Sequence, residues 1–451
     1  MSIIIPPITN SSVFLLLFIV FYYSQINIKN SFFEDTFKWT FKPKPHTLRT
    51  VREANKMKKA TKLKENVYWV GARDLNCRNF HGELYPIEEG TTYNAYLILD
   101  EQTTLIDTVE EEFTSDCLER IQSVLKDQPL DNIILQHAEP DHSGGLMKIK
   151  AAYPNATVYA SQGCVRNVTT QFHPDFPMNP LKTNDTLCTG KYNFTFVEMQ
   201  MIHWPDNMLT YCPELKTVFS NDAFGQHIVN YQLTDENLDK NYCIEQAKEY
   251  FANIVLSYTT QVKAKLNLIL SMNLEIEDIM PAHGIIWRKY IPDILEAYQG
   301  FADSKCKRKA VIVYESVWKH TQDMAEALAE GFGDAGMEVK VYKLSNTRSS
   351  IVFRELMDAE VVCVGSGTYN NEISYSVGAF LTHLKAAKVK GKKGLGFGAF
   401  GWFPKVPSNI DQALVDSGLT SCHEAIAQAF SPSQDQLENY YQIAQEIAKD
   451  C

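Results

Sequence analysis

The sequence predicts an α/β protein with two domains behind an N-terminal extension. Short apolar runs that are typical of buried strands, such as residues 133–135, end in clusters of polar side chains. From Lys309 the chain reads as a strand, a polar loop and an amphipathic helix, which is the repeating unit of a doubly wound parallel sheet. The length of 451 residues, 45% of them hydrophobic, is sufficient for two separate cores.

The elements suggest where the two domains begin and end. Strands are expected in NVYWVGARD, which starts at Asn66, and in TTYNAYLILD and TTLIDT. Helical periodicity follows at residues 113–125 and returns at 242–270. The polar, Lys-rich residues 303–309 are the expected joint. We therefore expect an extension at residues 1–64, a first domain at 65–303 and a second domain at 304–451.

The N-terminal extension is hydrophobic and then basic. Residues 13–23 (VFLLLFIVFYY) form an apolar run that is shorter than the roughly 20 residues of a membrane span. Lysines and arginines follow it as far as Lys64, which favours a membrane anchor with the catalytic part facing the cytoplasm. The same stretch also fits a targeting sequence, for example to a mitochondrion-related organelle. A signal peptide or a misassigned start is a further alternative.

Charge and cysteine content exclude some functions. The formal net charge of -11 argues against a nucleic-acid partner, because a binding surface for phosphates has to be basic. The ten cysteines include no CxxC pair, which argues against an attached rubredoxin or zinc ribbon. Scattered thiols of this kind suit a reducing compartment.

A metal site is indicated by the segment HAEPDH at residues 137–142. It follows a buried strand, and in an extended segment His137 and Glu139 point the same way and can reach one metal. Asp141 and His142, beyond the turn, can then reach a second metal. The alternative interpretation is a solvated polar loop.

Three downstream residues complete a ligand set. His203 in MIHWPDN, Asp222 in VFSNDAFG and His283 in MPAHG each follow or interrupt a short apolar run, where strand ends deliver side chains into a cleft. Any one of them alone would be read as an ordinary hydrogen-bonded or surface residue. Together with the first cluster they supply four imidazoles and three carboxylates, enough for two metals that share a carboxylate.

This order and spacing resemble the metallo-β-lactamase fold in the version found in flavodiiron proteins (A-type flavoproteins). The zinc hydrolases of that fold have HxHxDH, whereas Glu139 replaces the second histidine here. A hard carboxylate ligand moves the preference from zinc towards non-haem iron. The resemblance implies an αββα sandwich in which His137, Glu139 and His203 hold one iron. Asp141, His142 and His283 would hold the other iron, with Asp222 as the bridge.

One further histidine enters through the resemblance. His81 in NFHGELY stands at a position similar to that of a histidine close to the irons in this family. A plain surface histidine is the equally open alternative.

The second domain has the features of a flavin module. The hydroxyl-rich loop after the strand at Lys309, with Ser316 and Thr321, can cradle a phosphate at a helix N-terminus. Neither a Walker motif nor a GxGxxG fingerprint is present. Aromatic residues after two later strand ends, Tyr369 and Trp402, are suited to stack on a flat ring. An ordinary doubly wound domain with empty crevices is the alternative.

The three loops resemble those of the flavodoxin-like domain of flavodiiron proteins, where they surround FMN. The resemblance carries over to three groups of positions: Ser316, Val317, Trp318, Lys319, His320 and Thr321; Ser366, Gly367, Thr368, Tyr369, Asn370 and Asn371; Ala399, Phe400, Gly401 and Trp402. Gly367 stands where the family commonly has proline, and Ala399 and Phe400 where it has serine and tyrosine. Serine and tyrosine hydroxyls are thereby lost near the ring, so we expect these departures to change the affinity and potential of the flavin without preventing its binding.

The resemblance implies an oxidoreductase with FMN and two non-haem irons as cofactors. Its substrate would be a small diatomic gas, either dioxygen reduced to water or nitric oxide reduced to nitrous oxide. Electrons would come from a separate donor: a rubredoxin-like protein, a flavin reductase or a reduced cofactor. A head-to-tail homodimer, or a dimer of such dimers, would bring the flavin of one chain to the irons of the other.

Two other functions are compatible with the sequence. The first is a zinc hydrolase of the metallo-β-lactamase fold, acting on thioesters or lactams and fused to a flavodoxin. The second is an electron-transfer flavoprotein with a purely structural metal site. Glu139 opposes the first, and seven ligands are more than the second requires.

Overall fold

The computed structural model describes residues 58–451. The hydrophobic run and most of the basic stretch lie outside the described residues. The expected membrane anchor or targeting sequence therefore also lies outside them. Among residues 58–451, no helix combines the length and the apolar character needed to cross a membrane.

The first half of the described chain contains sixteen strands. They are β1 Thr61–Lys64, β2 Val67–Trp69, β3 Ala72–Asp74, β4 Asn79–Phe80, β5 Tyr85–Pro86, β6 Thr91–Tyr93, β7 Tyr96–Ile98, β8 Thr104–Ile106, β9 Asn132–Leu135, β10 Thr157–Ser161, β11 Met178–Leu181, β12 Thr186–Cys188, β13 Asn193–Glu198, β14 Met208–Cys212, β15 Thr217–Asn221 and β16 Asp278–Pro281.

Two sheets are built from these strands. One has the order β1-β2-β7-β8-β9-β10-β11, antiparallel as far as β8 and parallel from β8 to β11. The other has the order β12-β13-β14-β15-β16, and only its β15–β16 pair is parallel. Two-stranded ribbons, β3 with β6 and β4 with β5, lie outside both sheets.

Helices complete this half. They are α1 Thr114–Leu125, α2 Pro140–Ser143, α3 Leu146–Ala152, α4 Gln162–Phe172, α5 Lys240–Tyr250, α6 Thr259–Ser271 and α7 Ile291–Ala302. The expected continuous helix at 242–270 is instead interrupted by a π-helix, Phe251–Val255, and a 3₁₀ turn, Leu256–Tyr258. Short 3₁₀ helices also occur at Gly82–Leu84, Glu111–Phe113 and Asp235–Asn237.

The two sheets face each other across one apolar core. Trp69 and Ile134 of the first sheet pack with Phe194 and Phe219 of the second. Ile133, the neighbour of Ile134, belongs to a different cluster together with buried residues of the helices. Successive residues of β9 therefore point to opposite faces, as a strand requires. The αββα sandwich implied by the resemblance is confirmed.

The second half forms a doubly wound sheet, as predicted. Its strands are β17 Lys309–Glu315, β18 Glu338–Lys343, β19 Val361–Ser366, β20 Thr368–Tyr369, β21 Glu372–Ile373, β22 Lys393–Phe400, β23 Thr420–Ser421 and β24 Ile426–Ala429. Its helices are α8 His320–Asp334, α9 Ser349–Leu356, α10 Tyr375–Ala387, α11 Val406–Asp416 and α12 Gln434–Lys449, with a 3₁₀ turn at Leu344–Asn346. The parallel order is β18-β17-β19-β22-β23, and β24 also pairs with β22.

Strand β1 precedes the first strand expected from the sequence. It pairs antiparallel with β2, and Lys64 Nζ lies 2.5 Å from Oδ2 of the buried Asp278. Residues 61–64 are thus part of the sandwich edge, although their lysines resemble the basic extension in composition. Composition alone could not show this, because the buried carboxylate of Asp278 comes near Lys64 only in the folded chain.

Buried ion pairs connect the two halves. Lys248 Nζ on α5 lies 3.0 Å from Asp358 Oδ2, next to the end of α9. Lys309 Nζ at the start of β17 lies 2.9 Å from the other oxygen of Asp358 and 2.5 Å from Glu355 Oε2. The Lys248–Asp358 pair thus joins α5 of the first half to the residues after α9, and Lys309 ties the same carboxylate to β17.

Candidate metal centre and flavin-binding loops

The predicted metal ligands come from five places in the chain and meet at one edge of the αββα sandwich. His137 and Glu139 follow β9, and the short helix α2 carries Asp141 and His142. The other three lie on the second sheet: His203 between β13 and β14, Asp222 directly after β15, and His283 after β16. Pro140 at the start of α2 ends the extended segment after Glu139, which separates the first pair from the second.

One group of side chains surrounds Glu139. Its Oε2 lies 3.3 Å from His137 Nε2 and 3.1 Å from His203 Nε2. The same two nitrogens lie 3.7 and 3.5 Å from Oδ2 of Asp222. Nitrogen and oxygen atoms at these separations can share one ion, since metal–ligand bonds are about 2.1 Å long.

A second group surrounds Asp141. His283 Nε2 lies 3.3 Å from Asp141 Oδ2, and His142 Nε2 lies 3.6 Å from Asp141 Oδ1. Both imidazoles face Oδ1 of Asp222, at 3.1 Å from His142 and 3.5 Å from His283. Each oxygen of Asp222 therefore serves one group, which is the arrangement of a bridging carboxylate.

The donor atoms fit a pair of metal ions. Within each group the ligand atoms lie within 4.8 Å of one another. Six buried atoms that could bind a metal have no hydrogen-bond partner among the described residues: His137 Nε2, Glu139 Oε2, Asp141 Oδ1, Asp141 Oδ2, His142 Nε2 and His283 Nε2. Unpaired polar atoms are costly to bury, and two cations would satisfy all of them at once.

The predicted flavin loops lie at the carboxyl ends of three neighbouring strands. Residues 316–321 follow β17, residues 367–371 follow β19, and 401–404 follow β22. Ser366, Ala399 and Phe400 are the last residues of their strands rather than loop residues. Because the three strands are parallel neighbours, their ends form one crevice at the edge of the sheet.

Hydrogen bonds tie the three loops together. Thr321 Oγ1 accepts from the amide of Ala399 at 3.3 Å, and Thr368 Oγ1 donates to the carbonyl of Phe403 at 3.3 Å. The indole nitrogen of Trp402 donates to Asn371 Oδ1 at 3.1 Å. Helix α8 starts at His320, so its first backbone amides are free of partners within the helix. They lie next to the buried hydroxyl groups of Ser316 and Thr321.

The crevice fits a flat aromatic ligand with a phosphate tail. Trp318, Tyr369 and Trp402 expose 79%, 61% and 81% of their surface, although large aromatic side chains are normally buried. Such rings around a helix N-terminus offer stacking faces next to an anion site.

Comparison with known proteins agrees with this reading of both halves. Residues 91–284 match the family model described as ODP family beta lactamase, and residues 312–443 match the flavodoxin model. The nitric oxide reductase of Moorella thermoacetica is 37% identical over 398 residues, which are 87% of this chain and 99% of that protein.

Two solved structures are similar over nearly their full length. The rubredoxin oxygen:oxidoreductase of Desulfovibrio gigas is 34% identical, with a TM-score of 0.84, and the match covers 87% of this chain and 98% of that one. The flavodiiron protein of Giardia intestinalis is 30% identical, with a TM-score of 0.83, over 87% and 96% of the two chains. The chain belongs to the flavodiiron protein family.

In this flavodiiron protein, residues that the sequence analysis did not single out orient the predicted ligands. Asp206 Oδ2 lies 3.0 Å from Nδ1 of His137, and the carbonyl of Thr92 lies 2.8 Å from Nδ1 of His283. An acceptor at Nδ1 keeps the proton there and leaves the Nε2 lone pair for a metal. Asp206 lies three residues after His203, and this closeness was the only signal for it in the sequence.

His142 has a different partner. Its Nδ1 lies 3.2 Å from Nδ2 of Asn221. The orientation of that amide follows from Asn207, whose Oδ1 accepts from the amide of Trp204 and whose Nδ2 donates to Asn221 Oδ1. Asp107 Oδ2 also approaches this Nδ1, at 3.8 Å. Burial lowers the pKa of His142, but Asp141 and Asp222 outweigh burial and raise that pKa well above its ordinary value.

The bridging position of Asp222 is held by two donors. The hydroxyl of the buried Tyr250 donates to Oδ1 at 3.1 Å, and Asn207 Nδ2 donates to Oδ2 at 3.1 Å. Tyr250 lies at the end of α5, far from Asp222 in the sequence, and no local pattern indicated it.

The carboxylates change the proton affinities of the histidines. Burial lowers the pKa of His137, but its bonds with Asp206 and Glu139 outweigh burial and raise that pKa to about 9. Burial also lowers the pKa of His283, while Asp141 and Asp222 raise it to about 9. Burial raises the pKa of Glu139, but His137 and His203 hold it well below its usual range. Metal binding at such a site has to release protons.

His81 lies next to the first group. Its Nε2 is 3.2 Å from Oε1 of Glu139, the oxygen that does not face His137. Burial lowers the pKa of His81, and the charge of Glu139 opposes this only in part. The structure places this histidine within reach of a predicted ligand, at a position that is also exposed to solvent.

A cavity of about 430 Å³ leads to the predicted ligands. Its lining includes His81, Glu139 and Asp141, together with Glu110 and Glu112. The centre is therefore open to small molecules on one side.

Proposed function

We propose that this chain is a flavodiiron oxidoreductase that reduces dioxygen to water, nitric oxide to nitrous oxide, or both, at a non-haem di-iron centre supplied with electrons by FMN. The observation that carries the proposal is the division of Asp222 between two ligand groups. One oxygen faces His137 and His203, and the other faces His142 and His283.

The ligand types favour iron. Each group combines two imidazoles with its own carboxylate, Glu139 or Asp141, and shares Asp222. Mixed histidine and carboxylate ligands suit redox-active non-haem iron, whereas thiolates and further imidazoles favour zinc or copper. We therefore assign one iron to His137, Glu139 and His203, and the other to Asp141, His142 and His283.

The protein contributes placement and electrostatics. The bound irons and FMN supply the redox chemistry. Tyr250 and Asn207 hold Asp222 between the two ligand groups by hydrogen bonds of 3.1 Å each. Asp206 and the Thr92 carbonyl orient His137 and His283. At the flavin site, the start of α8 and Thr321 provide donors for the phosphate, and Tyr369 and Trp402 provide faces for the ring.

The names of the relatives support both gases as substrates. The Moorella thermoacetica protein is named for nitric oxide reduction and the Desulfovibrio gigas protein for oxygen reduction. Each dioxygen that becomes two waters takes four electrons and four protons. Two nitric oxide molecules that become nitrous oxide and water take two electrons and two protons. The cavity at His81 admits either molecule.

The electrons have to come from another molecule. We assign the donor role to a separate rubredoxin-like protein, flavin reductase or reduced cofactor, in keeping with the Desulfovibrio gigas relative, which is named a rubredoxin oxygen:oxidoreductase. We also propose a head-to-tail homodimer, in which the flavin crevice of one chain faces the metal cavity of the other. All ten cysteines are free, which suits a reducing compartment such as the cytoplasm or a mitochondrion-related organelle.

Two observations oppose the rival functions. Glu139 occupies the position of a histidine ligand in the zinc hydrolases, and its Oε2 faces two imidazoles directly. A purely structural metal site is closed, whereas the cavity of about 430 Å³ opens this one to small molecules.

Metal analysis and the visible spectrum of the purified protein test the proposal. We expect about two irons and one FMN per chain, together with donor-dependent consumption of dioxygen or nitric oxide in a side-by-side electrode assay. Zinc in place of iron, with hydrolysis of a thioester or lactam, would overturn it.

The substitution Asp222→Ala tests whether the first half binds the metals and the second half binds FMN. Gas consumption should be lost while the FMN spectrum stays intact, because Asp222 lies in the sandwich and the flavin loops lie after β17. Loss of the flavin together with the activity would contradict the separate assignments.

A further inference from the structure

Cys306 and Lys392 form a nucleophilic pair away from both predicted cofactor sites. Cys306 lies between α7 and β17, and Lys392 directly precedes β22. Lys392 Nζ lies 3.7 Å from Cys306 Sγ. Both residues are at the amino-terminal end of the flavodoxin-like sheet, opposite the carboxyl ends that carry the flavin loops.

The amine of Lys392 is buried in an unusual way. Only 4% of the residue is exposed, and its described hydrogen-bond partners are the carbonyls of Met357 at 3.0 Å and Ala359 at 2.9 Å, besides the Cys306 sulfur. None of these partners is a carboxylate. Burial lowers the pKa of Lys392, and the Cys306 thiol opposes this only in part.

The amine of Lys392 faces three acceptors. Two of its tetrahedral directions face the carbonyls of Met357 and Ala359, and the third faces the sulfur of Cys306. Once a proton leaves this nitrogen, its lone pair can be directed at the sulfur while both carbonyls keep their N–H bonds. Two groups held with their reacting atoms about 3 to 3.5 Å apart react much faster than the same groups free in solution. The 3.7 Å between Lys392 Nζ and Cys306 Sγ is close to that separation.

The sulfur is accessible, in contrast to the amine. Cys306 is an exposed free cysteine, so a small oxidant in solvent can reach it. An exposed thiol next to a buried amine separates two events: oxidant attacks the sulfur first, and the amine then reacts with the oxidised sulfur.

We propose that Cys306 and Lys392 are a modification site at which a peroxide drives formation of a covalent N–S bond. The link would fasten the joint between the two domains to the start of β22.

The chemistry balances with one molecule of hydrogen peroxide. The thiol of Cys306 is oxidised to a sulfenic acid, and the peroxide O–O bond breaks with release of one water. The Lys392 amine then attacks the sulfur, the N–S bond forms and the S–O bond breaks. The departing hydroxide takes a proton from nitrogen and leaves as the second water. The protein has lost two hydrogen atoms, and the peroxide has gained two electrons.

Mass spectrometry of the full-length protein tests this directly. Treatment with an equimolar amount of hydrogen peroxide, followed by digestion, should yield a peptide pair joined through Cys306 and Lys392. Its mass should be lower than the sum of the two peptides by two hydrogen atoms. Dithiothreitol should reverse the link, since an excess of thiol reduces the N–S bond. Oxidation of Cys306 only to acids that carry added oxygen would overturn the proposal.

Two variants keep the test independent of folding problems. Lys392→Gln removes the amine and should leave Cys306 oxidised but unlinked. Cys306→Ser changes an exposed residue and should abolish the link without loss of fold or of basal gas consumption. A linked peptide at Lys392 in Cys306→Ser would show another partner and overturn the assignment.

The chain contains a matched control pair. Lys393 Nζ lies 3.5 Å from Cys451 Sγ, but Lys393 is only partly buried. Because the surrounding protein does not enclose the Lys393 amine as it encloses that of Lys392, this pair should stay unlinked in the same peroxide-treated sample. Equal linkage of Lys393 to Cys451 would overturn the role that we assign to the burial of Lys392.

Discussion

Asp206 Oδ2 lies 3.0 Å from Nδ1 of His137, and both side chains are fully buried. The same oxygen accepts the amide of Ala138 at 2.8 Å, and the other oxygen accepts Asn167 Nδ2 at 3.2 Å. Asp206 is therefore fixed from three directions, and it fixes the imidazole that faces Glu139.

The substitution Asp206→Asn should weaken the first metal position selectively. An amide in place of the carboxylate no longer enforces a proton on Nδ1, and loss of such a partner costs about 10- to 100-fold in metal affinity. Competition with a chelator, followed by metal counting, measures this. Asp293→Asn, on the exposed face of α7, is the matched control. Equal loss of both metals would contradict the assignment of Asp206 to one position.

Glu139→His should change the preferred metal. The variant has the HxHxDH order of the zinc hydrolases, and a third imidazole in the first group favours zinc over iron. We expect zinc to rise relative to iron in the purified protein, and gas consumption to fall, while FMN is retained. Glu112→His, in the wall of the same cavity, is the control. An unchanged iron content in Glu139→His would mean that Glu139 does not select the metal.

Lys309→Met should destabilise the second half of the protein. Lys309 is buried and pairs with Glu355 at 2.5 Å and Asp358 at 2.9 Å, so its loss leaves both carboxylates short of a partner. Removal of one partner from a buried ion pair costs about 3 kcal/mol or more. A lower midpoint of thermal unfolding measures the effect. Lys305→Met, at an exposed lysine of the joint, should leave the midpoint unchanged.

The same cluster should make stability sensitive to acid. Burial raises the pKa of Asp358, but Lys248, Lys309 and Lys307 outweigh it and hold the pKa well below the ordinary 3.8. A carboxyl group with a depressed folded-state pKa stabilises the fold above its ordinary value and loses that contribution as the pH falls further.

The contribution of Asp358 to the thermal midpoint should therefore be complete and constant between pH 7 and pH 5, and the midpoint should decline below about pH 4. In Asp358→Asn the midpoint should be lower at neutral pH, and its decline in acid should be shallower. Parallel curves for the variant and the natural protein would contradict this role of Asp358.

Thr321→Val should weaken FMN binding without effect on the metals. Thr321 is buried at the first turn of α8, and a hydrogen bond to a charged group contributes about 1.5 to 3 kcal/mol, or roughly 10- to 100-fold in affinity. Fluorescence titration of the flavin-free protein measures the change. Thr382→Val on α10 is the control, because its exposed hydroxyl only bonds the carbonyl of Gly378. An unaltered FMN affinity in Thr321→Val would show that its hydroxyl does not serve the phosphate.

Local patterns explain why so much of the fold could be predicted. The alternation of residues 133–135 between two apolar clusters, and the strand, loop and helix after Lys309, are short-range signals that hydrophobic periodicity carries. The interruption of the helix at Phe251 was not predicted, because a π-helix depends on packing against neighbours such as α9 rather than on its own residues. Strand β1 was missed because its lysines suit a basic extension equally well.

The sequence by itself determined the set of residue types at the candidate site. Histidines and carboxylates at 137, 139, 141, 142, 203, 222 and 283 predict metal ligands through their type and order, and Glu139 favours iron through the hardness of its oxygen. Only the tertiary structure decided which oxygen of Asp222 faces which imidazole, and which buried groups orient them. Asp206, Asn221 and Tyr250 have no motif of their own, because they act through distances of about 3 Å that arise only when remote segments of the chain pack together.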